Sequence, residues 1–557
     1  MSDWPGAGTI LRELTAPGAA FPVVEVESGD RRFRTYRNTA RSMREFAQRF
    51  GDFGDRRALV SSAGVRSYRE LDRDIVSAAH WLRRAGVGHG DRVAILSRNR
   101  PEFPVVFWAA QAIGAIFVPF NPWWTAAEIE YGMGDADPEV IFAEADLLEK
   151  VDPGRCRVVG MGLAQPSCGV VEWDEVVTFQ RLGELPFADV EPDDFATIVY
   201  TSGTTGRPKG VVHTHRNHCV SVVNAALTAA TIAAARRGSD AALAAEPVVL
   251  QVLPWFHVAG LGSMYGSLVG GAVNIIQPRW NAAEALRILA EEKVTTLGAV
   301  PTMLAELVAA AADSPSALDS LATLTSGATA VPTTLLRTVA DTVGEQVCMA
   351  TGYGLTETTA SVALCVGPDL TDKPDSIGVP FPVNRIRIVD EQMRDVAVGE
   401  TGEIVVSGPT VAAGYWRSEE ATRAAFAAGA FRTGDLGRQD IEGFLSLAGR
   451  IKDVIIRGGE NIQAAEIENV IAELPGVMTV AVVGLPHPRL GEEVTAVFTL
   501  YSDSELTEAD IDAHCRRQLA SIKVPSRYIR AGAIPRSASG KILKAELLRA
   551  LAGQGNT

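Results

Sequence analysis

"ATIVYTSGTTGRPKGVVHTH", residues 196–215, sets a short β-branched run on each side of a segment rich in Gly, Ser and Thr. The flanks "ATIVY" and "GVVHTH" are strand candidates, so the centre, "YTSGTTGRPKG" (residues 200–210), is a strand-loop-strand turn and not a strand-to-helix junction. Glycines let the backbone approach an anion, and hydroxyls with main-chain N–H groups can surround phosphate oxygens. Pro208 restricts the conformations just before Lys209, whose ammonium supplies compensating charge. The pattern is not G-x-x-x-x-G-K-[ST]: only Arg207 and Pro208 separate Gly206 from Lys209, and Gly210 follows it. A flexible Ser/Thr/Gly linker rarely carries "RPKG" between two apolar strands.

Outward from this loop, apolar runs such as "VAILS", "IFVPF", "TIVY" and "VVLQVLP" alternate with helical patterns such as "YRELDRDIVSAAHWLRRAG". That alternation predicts an α/β fold with a large N-terminal domain of mixed, mostly parallel sheets flanked by helices. Ser67 and Glu70 have the spacing of a capping box. Residues 225–245 are Ala-rich with a Gly-Ser-Asp break, which reads as a helix and a surface loop. From about Gly443 the elements become short and mixed: "FLSLAGR", "IKDVIIRGG", "AAEIENVIAELPGV", "TVAVVGLPH", "TAVFTLYS". These predict a small, mobile α+β C-terminal domain over residues 451–557, after a first domain over 1–450. No Gly/Ser linker marks the boundary, so the hinge is tight.

A chain of 557 residues exceeds the size at which one core keeps growing, which agrees with two domains. Its apolar share of 47% with 21% charged residues belongs to a globular protein. A net charge of −15 argues against a nucleic-acid partner held by bulk electrostatics. Six cysteines without C-x-x-C spacing fit neither a disulfide framework nor a zinc site. The start, "MSDWPGAGTI", lacks a basic region followed by an apolar one, so a cytoplasmic location is expected. Residues 105–120 are too short to cross a bilayer, and residues 258–276, broken by five glycines, read as a buried helix followed by a buried strand.

Further stretches carry chemistry. "GYGLTETT" (352–359) sets Glu357 between Thr356 and Thr358, the arrangement by which a magnesium ion is held through few protein ligands. "FRTGDLG" (431–437) presents Asp435 on a turn, where its carboxylate can accept from a ribose diol. "GRIKDVIIRGGENI" (449–462) supplies Arg450, Lys452 and the Gly458, Gly459 pair, and "PRSASGKILK" (535–544) places Lys541 on another Gly/Ser loop. Together these describe a nucleotide triphosphate site assembled from distant segments.

"YTSGTTGRPKG", "YGLTET", "TGD", "GRIKDVI" and "PRSASGK" resemble, in order, the motif set of the class I adenylate-forming (AMP-binding) superfamily, and most closely its acyl-CoA synthetases, the fatty-acid–CoA ligases. The resemblance runs from about Ser67 to Leu548. It implies that Thr201, Ser202, Gly203, Thr204, Thr205 and Lys209 wrap the β- and γ-phosphates of ATP. It places Ser326, Gly327 and Ala328 of "SGATAVP" beside adenine, with Tyr353 stacking on it. By the same resemblance Thr356 touches the α-phosphate, Glu357 holds Mg2+, Asp435 and Arg450 hold the ribose, Lys541 drives adenylation and Lys452 stands at the hinge. Gly458 and Gly459 reach the CoA thiol after the small domain rotates. "LPWFHVAG" (253–260) borders the acyl chain, with His257 gating the tunnel and Val258, Ala259, Gly260, Gly262, Ala328, Gly352 and Val362 small or apolar around it. The sequence departs from the family at Ile522, where tyrosine is common, and at Lys544, where arginine is usual.

The reaction expected is ATP-dependent ligation of a carboxylic acid to CoA through an acyl-adenylate, on a fatty or bulky apolar acid. The alternative is an adenylating enzyme that loads a carrier protein or stops at the adenylate. The expected partners are the acid, ATP and CoA, with no nucleic acid, no transmembrane segment and a homodimer left open. Lys209, Glu357, Asp435 and Lys541 are all present, which disfavours a catalytically dead binding protein. "HTHRNH" (213–218) has an H-x-H-x-x-H spacing that would split metal ligands between a strand end and a helix start, so no metal is assigned there. Trp123 and Trp124 read as packing under a helix start.

Overall fold

A computed structural model describes residues 4–28, 31–180, 183–201, 207–236, 246–312, 314–327, 333–344, 347–501, 504–537 and 541–554. Two large sheets form the N-terminal part. One has eight strands, with Arg92–Leu96 central between Ile116–Phe120 and Val140–Glu144, all parallel. The other has fourteen, with a parallel core in which Val248–Gln251 lies between Val273–Ile276 and Thr296–Ala299, followed by Thr323–Ser326 and Cys348–Tyr353. Beyond Cys348–Tyr353 this sheet continues antiparallel through Ala363–Val366 and Ser376–Pro380 to Leu445–Arg450 and Ala430–Gln439.

The parallel strands are apolar along their length because helices cover both faces. Helix Glu102–Ile113 is apolar all round for the same reason: every residue from Phe103 to Ile113 is buried. Trp108, Phe107, Phe117, Trp255 and Tyr265 meet in the largest core cluster. Full burial of side chains of this size contributes about 1.5–3 kcal/mol each. Four helices begin with reciprocal caps (Ser67 with Glu70, Thr125 with Glu128, Thr214 with Asn217, Thr507 with Asp510), which answers the orphan N–H groups of the first turn. Residues 258–276 form a helix, Val258–Val269, and a buried strand, Val273–Ile276.

Helix His215–Ala235 is long and apolar enough to cross a membrane by length and composition, and half of it is buried. Its polar residues find partners inside the protein: Asn217 donates to the Pro409 and Val411 carbonyls and Asn224 accepts from the Tyr36 hydroxyl at 2.6 Å. The segment after this helix, residues 237–245, lies outside the described residues.

Two readings need correction. "FLSLAGR" belongs to the large sheet: Leu445–Arg450 pairs with Ser376–Pro380 and with Ala430–Gln439. Asp435 stands not on a turn but within the ten-residue strand Ala430–Gln439, paired with Arg450 across the ladder. Gly434 and Gly437 obscured the alternation in the sequence. The chain leaves the large sheet through the single turn Ile451–Asp453 and starts a five-stranded, mainly antiparallel sheet with Val454–Arg457. Helices Ala464–Ala472 and Glu508–Gln518 pack on that sheet, giving a small α+β unit with its own core around Ile467, Phe498 and Ile511. At the two family departures, the Ile522 carbonyl accepts from Arg457 and Lys544 pairs with Glu468 at 2.7 Å.

Candidate active site

The loop that opened the sequence joins Phe195–Thr201 to Lys209–Thr214, which pair antiparallel from Phe195↔Thr214 to Thr201↔Lys209. Ser202, Gly203, Thr204 and Thr205 lie outside the described residues, as does Ala328. Lys209 leaves this hairpin toward the ring of Tyr415, with its Nζ 5.3 Å from the centroid. Tyr415 in turn donates to Glu357 Oε1 at 2.7 Å. Nothing local in the sequence links Tyr415 to Glu357, 58 residues apart. Pairing of Gly414–Tyr415 with Val211 and Val212 makes the link.

The second group lies where the large sheet meets the small domain. Asp435 is almost fully buried; its Oδ2 accepts from the Tyr353 hydroxyl at 2.7 Å and its Oδ1 is ion-paired with Arg450 Nε at 2.7 Å. A carboxylate has about four lone-pair sites, so two remain for hydroxyl donors. The Tyr353 phenol is held far above its ordinary value, by burial first and then by Asp435, and stays neutral. Beside it, parallel pairing sets Ser326 against Thr351, and a Cβ at Gly327 would stand 3.5 Å from the Gly352 carbonyl. Gly352 is exposed and Gly327 partly so, beside the buried Tyr353. The Ser326 hydroxyl is buried without a partner among the described residues, an orphan that a ligand edge would satisfy.

The third group is the segment 253–260. Asn99 clamps it from the other sheet: Oδ1 accepts from Trp255 N–H and Nδ2 donates to the Leu253 carbonyl, both at 2.9 Å. Sequence reading missed Asn99, which is separated by more than 150 residues from its partners. The first turn of helix Val258–Val269 folds so tightly onto this segment that a Cβ on Gly260 would meet the Pro254 oxygen at 2.1 Å. His257 caps the helix, its Nδ1 accepting from Ala259 N–H at 3.4 Å. Burial and then the positive charge of Lys541 lower its pKa to about 4, so the ring is neutral with its proton on Nε2. Ala259 and Gly262 are partly open, whereas Val258 and Val362 sit in the core with almost no accessible surface.

Lys541 comes from the small domain. The Ser537 N–H donates to the Lys541 carbonyl at 2.7 Å and the Lys541 N–H to the Ser537 hydroxyl at 3.2 Å, closing a short loop. Residues 538–540 between them lie outside the described residues. Surrounding protein and then the cations of Arg450 and Lys452 lower the Lys541 pKa to about 8, while Asp435 and Asp453 oppose this. The residue itself is open to water, which screens the shift, so its direction carries the argument. If Lys541 drives adenylation, as the sequence resemblance implies, only its ammonium form can neutralise a phosphate, and activity is expected to fall as pH rises through this pKa. The pH profile of kcat/KM for ATP–pyrophosphate exchange is expected to show an alkaline limb below the ordinary lysine range. Lys541→Arg should move that limb out of range, because a guanidinium stays protonated.

Lys452 is also lowered by burial and by Arg450. Gly458 and Gly459 form the exposed turn between Val454–Arg457 and Glu460–Gln463. The six cysteines form no disulfide, and four of them are buried. Among the described residues no group of three His, Cys, Asp or Glu side chains is set to hold a metal. A single carboxylate, Glu357, with one oxygen committed to Tyr415 still fits magnesium, which takes one or two carboxylates plus phosphate oxygens and water. Trp124 packs on Phe120 and Tyr200, but Trp123 is 48% exposed, its ring 5.7 Å from that of Phe256, so packing accounts for one tryptophan of the pair only.

Comparison with known proteins agrees with this layout. The family model of the AMP-binding enzyme matches residues 46–416, and that of the AMP-binding enzyme C-terminal domain matches 466–541. The chain is 34% identical over 518 residues to feruloyl-CoA synthase of Amycolatopsis sp, covering 90% of this chain and 99% of the relative. It is 36% identical over 498 residues to the long-chain-fatty-acid–CoA ligase FadD13 of Mycobacterium tuberculosis, covering 86% and 92%. Its fold is similar to that of the o-succinylbenzoate CoA synthetase of Bacillus subtilis in complex with its acyl-adenylate intermediate, with a TM-score of 0.76 and 27% identity over 90% of this chain and 97% of that one. Motif order, fold and these matches together make the chain a member of the AMP-binding enzyme family, the class I adenylate-forming superfamily.

Proposed function

We propose that the chain is an ATP-dependent carboxylic acid–CoA ligase. The acid's carboxylate attacks the α-phosphorus of ATP, the bond to the β-phosphate oxygen breaks, and pyrophosphate leaves. The CoA thiol, giving up its proton, then attacks the acyl carbon, and AMP departs with the electron pair of the broken bond. The observation that carries this reading is the placement of Lys541: a lysine from the small domain lies within electrostatic reach of both His257 and the Asp435–Arg450 pair. No other arrangement of these residues is so well suited to bringing an acid and a ribose-bound phosphate under one ammonium.

In this reading Asp435 accepts from the ribose, Tyr353, Gly327 and Gly352 flank adenine, and Thr356 contacts the α-phosphate. Lys209 and the 201–205 loop hold the departing pyrophosphate. Magnesium, held by Glu357 and the phosphates, would supply neutralisation of developing charge. Lys541 offsets charge on the α-phosphate, where one well-placed group typically lowers the barrier by about 2.7–4 kcal/mol. We place the domain boundary at Arg450–Lys452. The present orientation, with Lys541 at the site and Gly458–Gly459 exposed, is the one the first half-reaction needs. Rotation about Lys452 would exchange them for thiol attack.

For the acid we favour a bulky apolar body of aromatic size. Gly262 is partly exposed, and a Cβ there would meet only the Tyr265 ring, its hydroxyl at 3.6 Å; one turn deeper Gly266 packs against Ala225. The names of the relatives, a feruloyl-CoA synthase and a long-chain-fatty-acid ligase, span both alternatives. A panel of aromatic, alicyclic and fatty acids, assayed for CoA-dependent AMP release, tests the reading. Aromatic acids are expected to give the highest kcat/KM. AMP release that needs a carrier protein in place of CoA would transfer the chain to the carrier-loading alternative. Absence of acid-dependent pyrophosphate exchange across the panel would refute adenylation.

A further inference from the structure

The "HTHRNH" stretch holds three buried histidines that the reaction scheme leaves without a role. His213 ends the strand Lys209–Thr214, and His218 lies in the first turn of the following helix. Both rings converge on the Thr197 hydroxyl of the neighbouring strand, His213 Nδ1 and His218 Nε2 each at 2.9 Å. His213 Nε2 lies 2.7 Å from the Thr356 carbonyl, and His218 Nδ1 lies 3.4 Å from the Tyr265 hydroxyl. Thr197, His213 and His218 have no solvent exposure and Tyr265 almost none.

Donor counting leaves one arrangement. A carbonyl only accepts, so His213 carries its proton on Nε2. Burial lowers this histidine's pKa to about 4, so the ring is neutral and its bare Nδ1 accepts from Thr197 O–H. Thr197 has spent its hydrogen, so its oxygen accepts from His218 Nε2–H. His218, neutral for the same reason, is left with a bare Nδ1 for the tyrosine hydroxyl. The chain of bonds therefore runs in one direction, from Tyr265 to Thr356.

Its two ends matter. Thr356 opens the short turn Thr356–Thr358, which is followed by Thr359 and Ala360 at φ 52° and 56°. Two consecutive left-handed non-glycine residues are costly, and such strain persists only where surrounding bonds over-determine the backbone. Gly354 is part of the same constraint: a Cβ there would stand 2.3 Å from the Ala360 carbonyl carbon. At the other end, the buried Tyr265 hydroxyl lies 3.6 Å from where a Cβ on the partly exposed Gly262 would stand.

We propose that His213, His218, Thr197 and Tyr265 form a positioning relay that fixes the Thr356 carbonyl, and with it the Thr356 hydroxyl and Glu357 carboxylate, in register with the acid pocket. This rests on the adenylation reading given above. The experiment compares His213→Gln with His213→Asn. A glutamine amide reaches the Nε2 position and can still donate to Thr356; an asparagine amide reaches only the Nδ1 position. His213→Asn is expected to lower kcat for pyrophosphate exchange about 10- to 100-fold, consistent with loss of one buried hydrogen bond. KM for ATP and thioester formation from pre-made acyl-adenylate should stay within about twofold, and His213→Gln should recover most of the loss. Tyr265→Phe should lower kcat/KM for the acid more than that for ATP. Equal losses in Asn and Gln variants, or losses in both half-reactions that track a lowered melting temperature, would reduce the network to scaffolding. An independent readout is 15N NMR of histidine-labelled wild-type protein at neutral pH, where His213 and His218 should both be the Nε2–H tautomer. An Nδ1–H tautomer at either ring overturns the relay whatever the enzyme's activity. Correct tautomers with no acid-dependent exchange would instead isolate the fault in the adenylation reading.

Discussion

Lys541→Ala will cut ATP–pyrophosphate exchange by about 100- to 1000-fold, the loss of one preorganised charge at the transferring phosphorus. Conversion of pre-made acyl-adenylate and CoA to thioester will change little, because the second step does not use this ammonium. The substitution leaves the loop in place. The Ser537–Lys541 bonds use main-chain atoms of residue 541, and the Arg536–Ile542 bridge is also between backbones. The side chain is open to water, so the melting temperature should hardly move. Quenched-flow measurement of the two half-reactions separates these outcomes. Equal loss of both would mean that Lys541 serves general integrity and that the two steps do not alternate between domain orientations.

Asp435→Ala is expected to act on binding and stability together. It removes the acceptor proposed for the ribose, which should raise KM for ATP about 100-fold if two charge-assisted hydrogen bonds are lost. It also leaves the buried Tyr353 hydroxyl without its acceptor and half-buried Arg450 without its ion-pair partner, which should lower unfolding free energy by about 1–3 kcal/mol. Asp435→Asn should be no rescue. Its amide oxygen can serve Tyr353, but its NH2 group would then face Arg450 Nε, donor against donor. Calorimetric titration with ATP alongside chemical denaturation reads both effects. Normal ATP affinity in a destabilised Asp435→Ala protein would restrict Asp435 to a structural role.

Most of the architecture was legible before any coordinates because its signals are local. β-branched runs of four to seven residues, a capping box at Ser67 and Glu70, and a hydroxyl-glycine loop between two strands each depend on neighbours in sequence. The failures have a common cause. Asp435 looked like a turn residue because Gly434 and Gly437 break the pattern, yet cross-strand pairing with Arg450 keeps it in a strand. Trp123 and Trp124 looked alike, but only Trp124 packs, partly buried, beside Tyr200. Asn99 and Tyr415 gave no local sign at all.

By itself, then, the sequence determined which residues are chemically equipped: Lys209, Glu357, Asp435, Arg450 and Lys541 stand in motifs whose order and spacing mark an adenylate-forming chain. Tertiary structure alone decided how they are held. Asp435 is shared between Tyr353 and Arg450, Glu357 is held by Tyr415, and two of the three histidines that resembled a metal site, His213 and His218, are turned into a hydrogen-bonded chain beneath Thr356. The physical reason is separation along the chain. These bonds join residues 15 to 143 positions apart, and only sheet pairing and helix packing bring such partners within 3 Å.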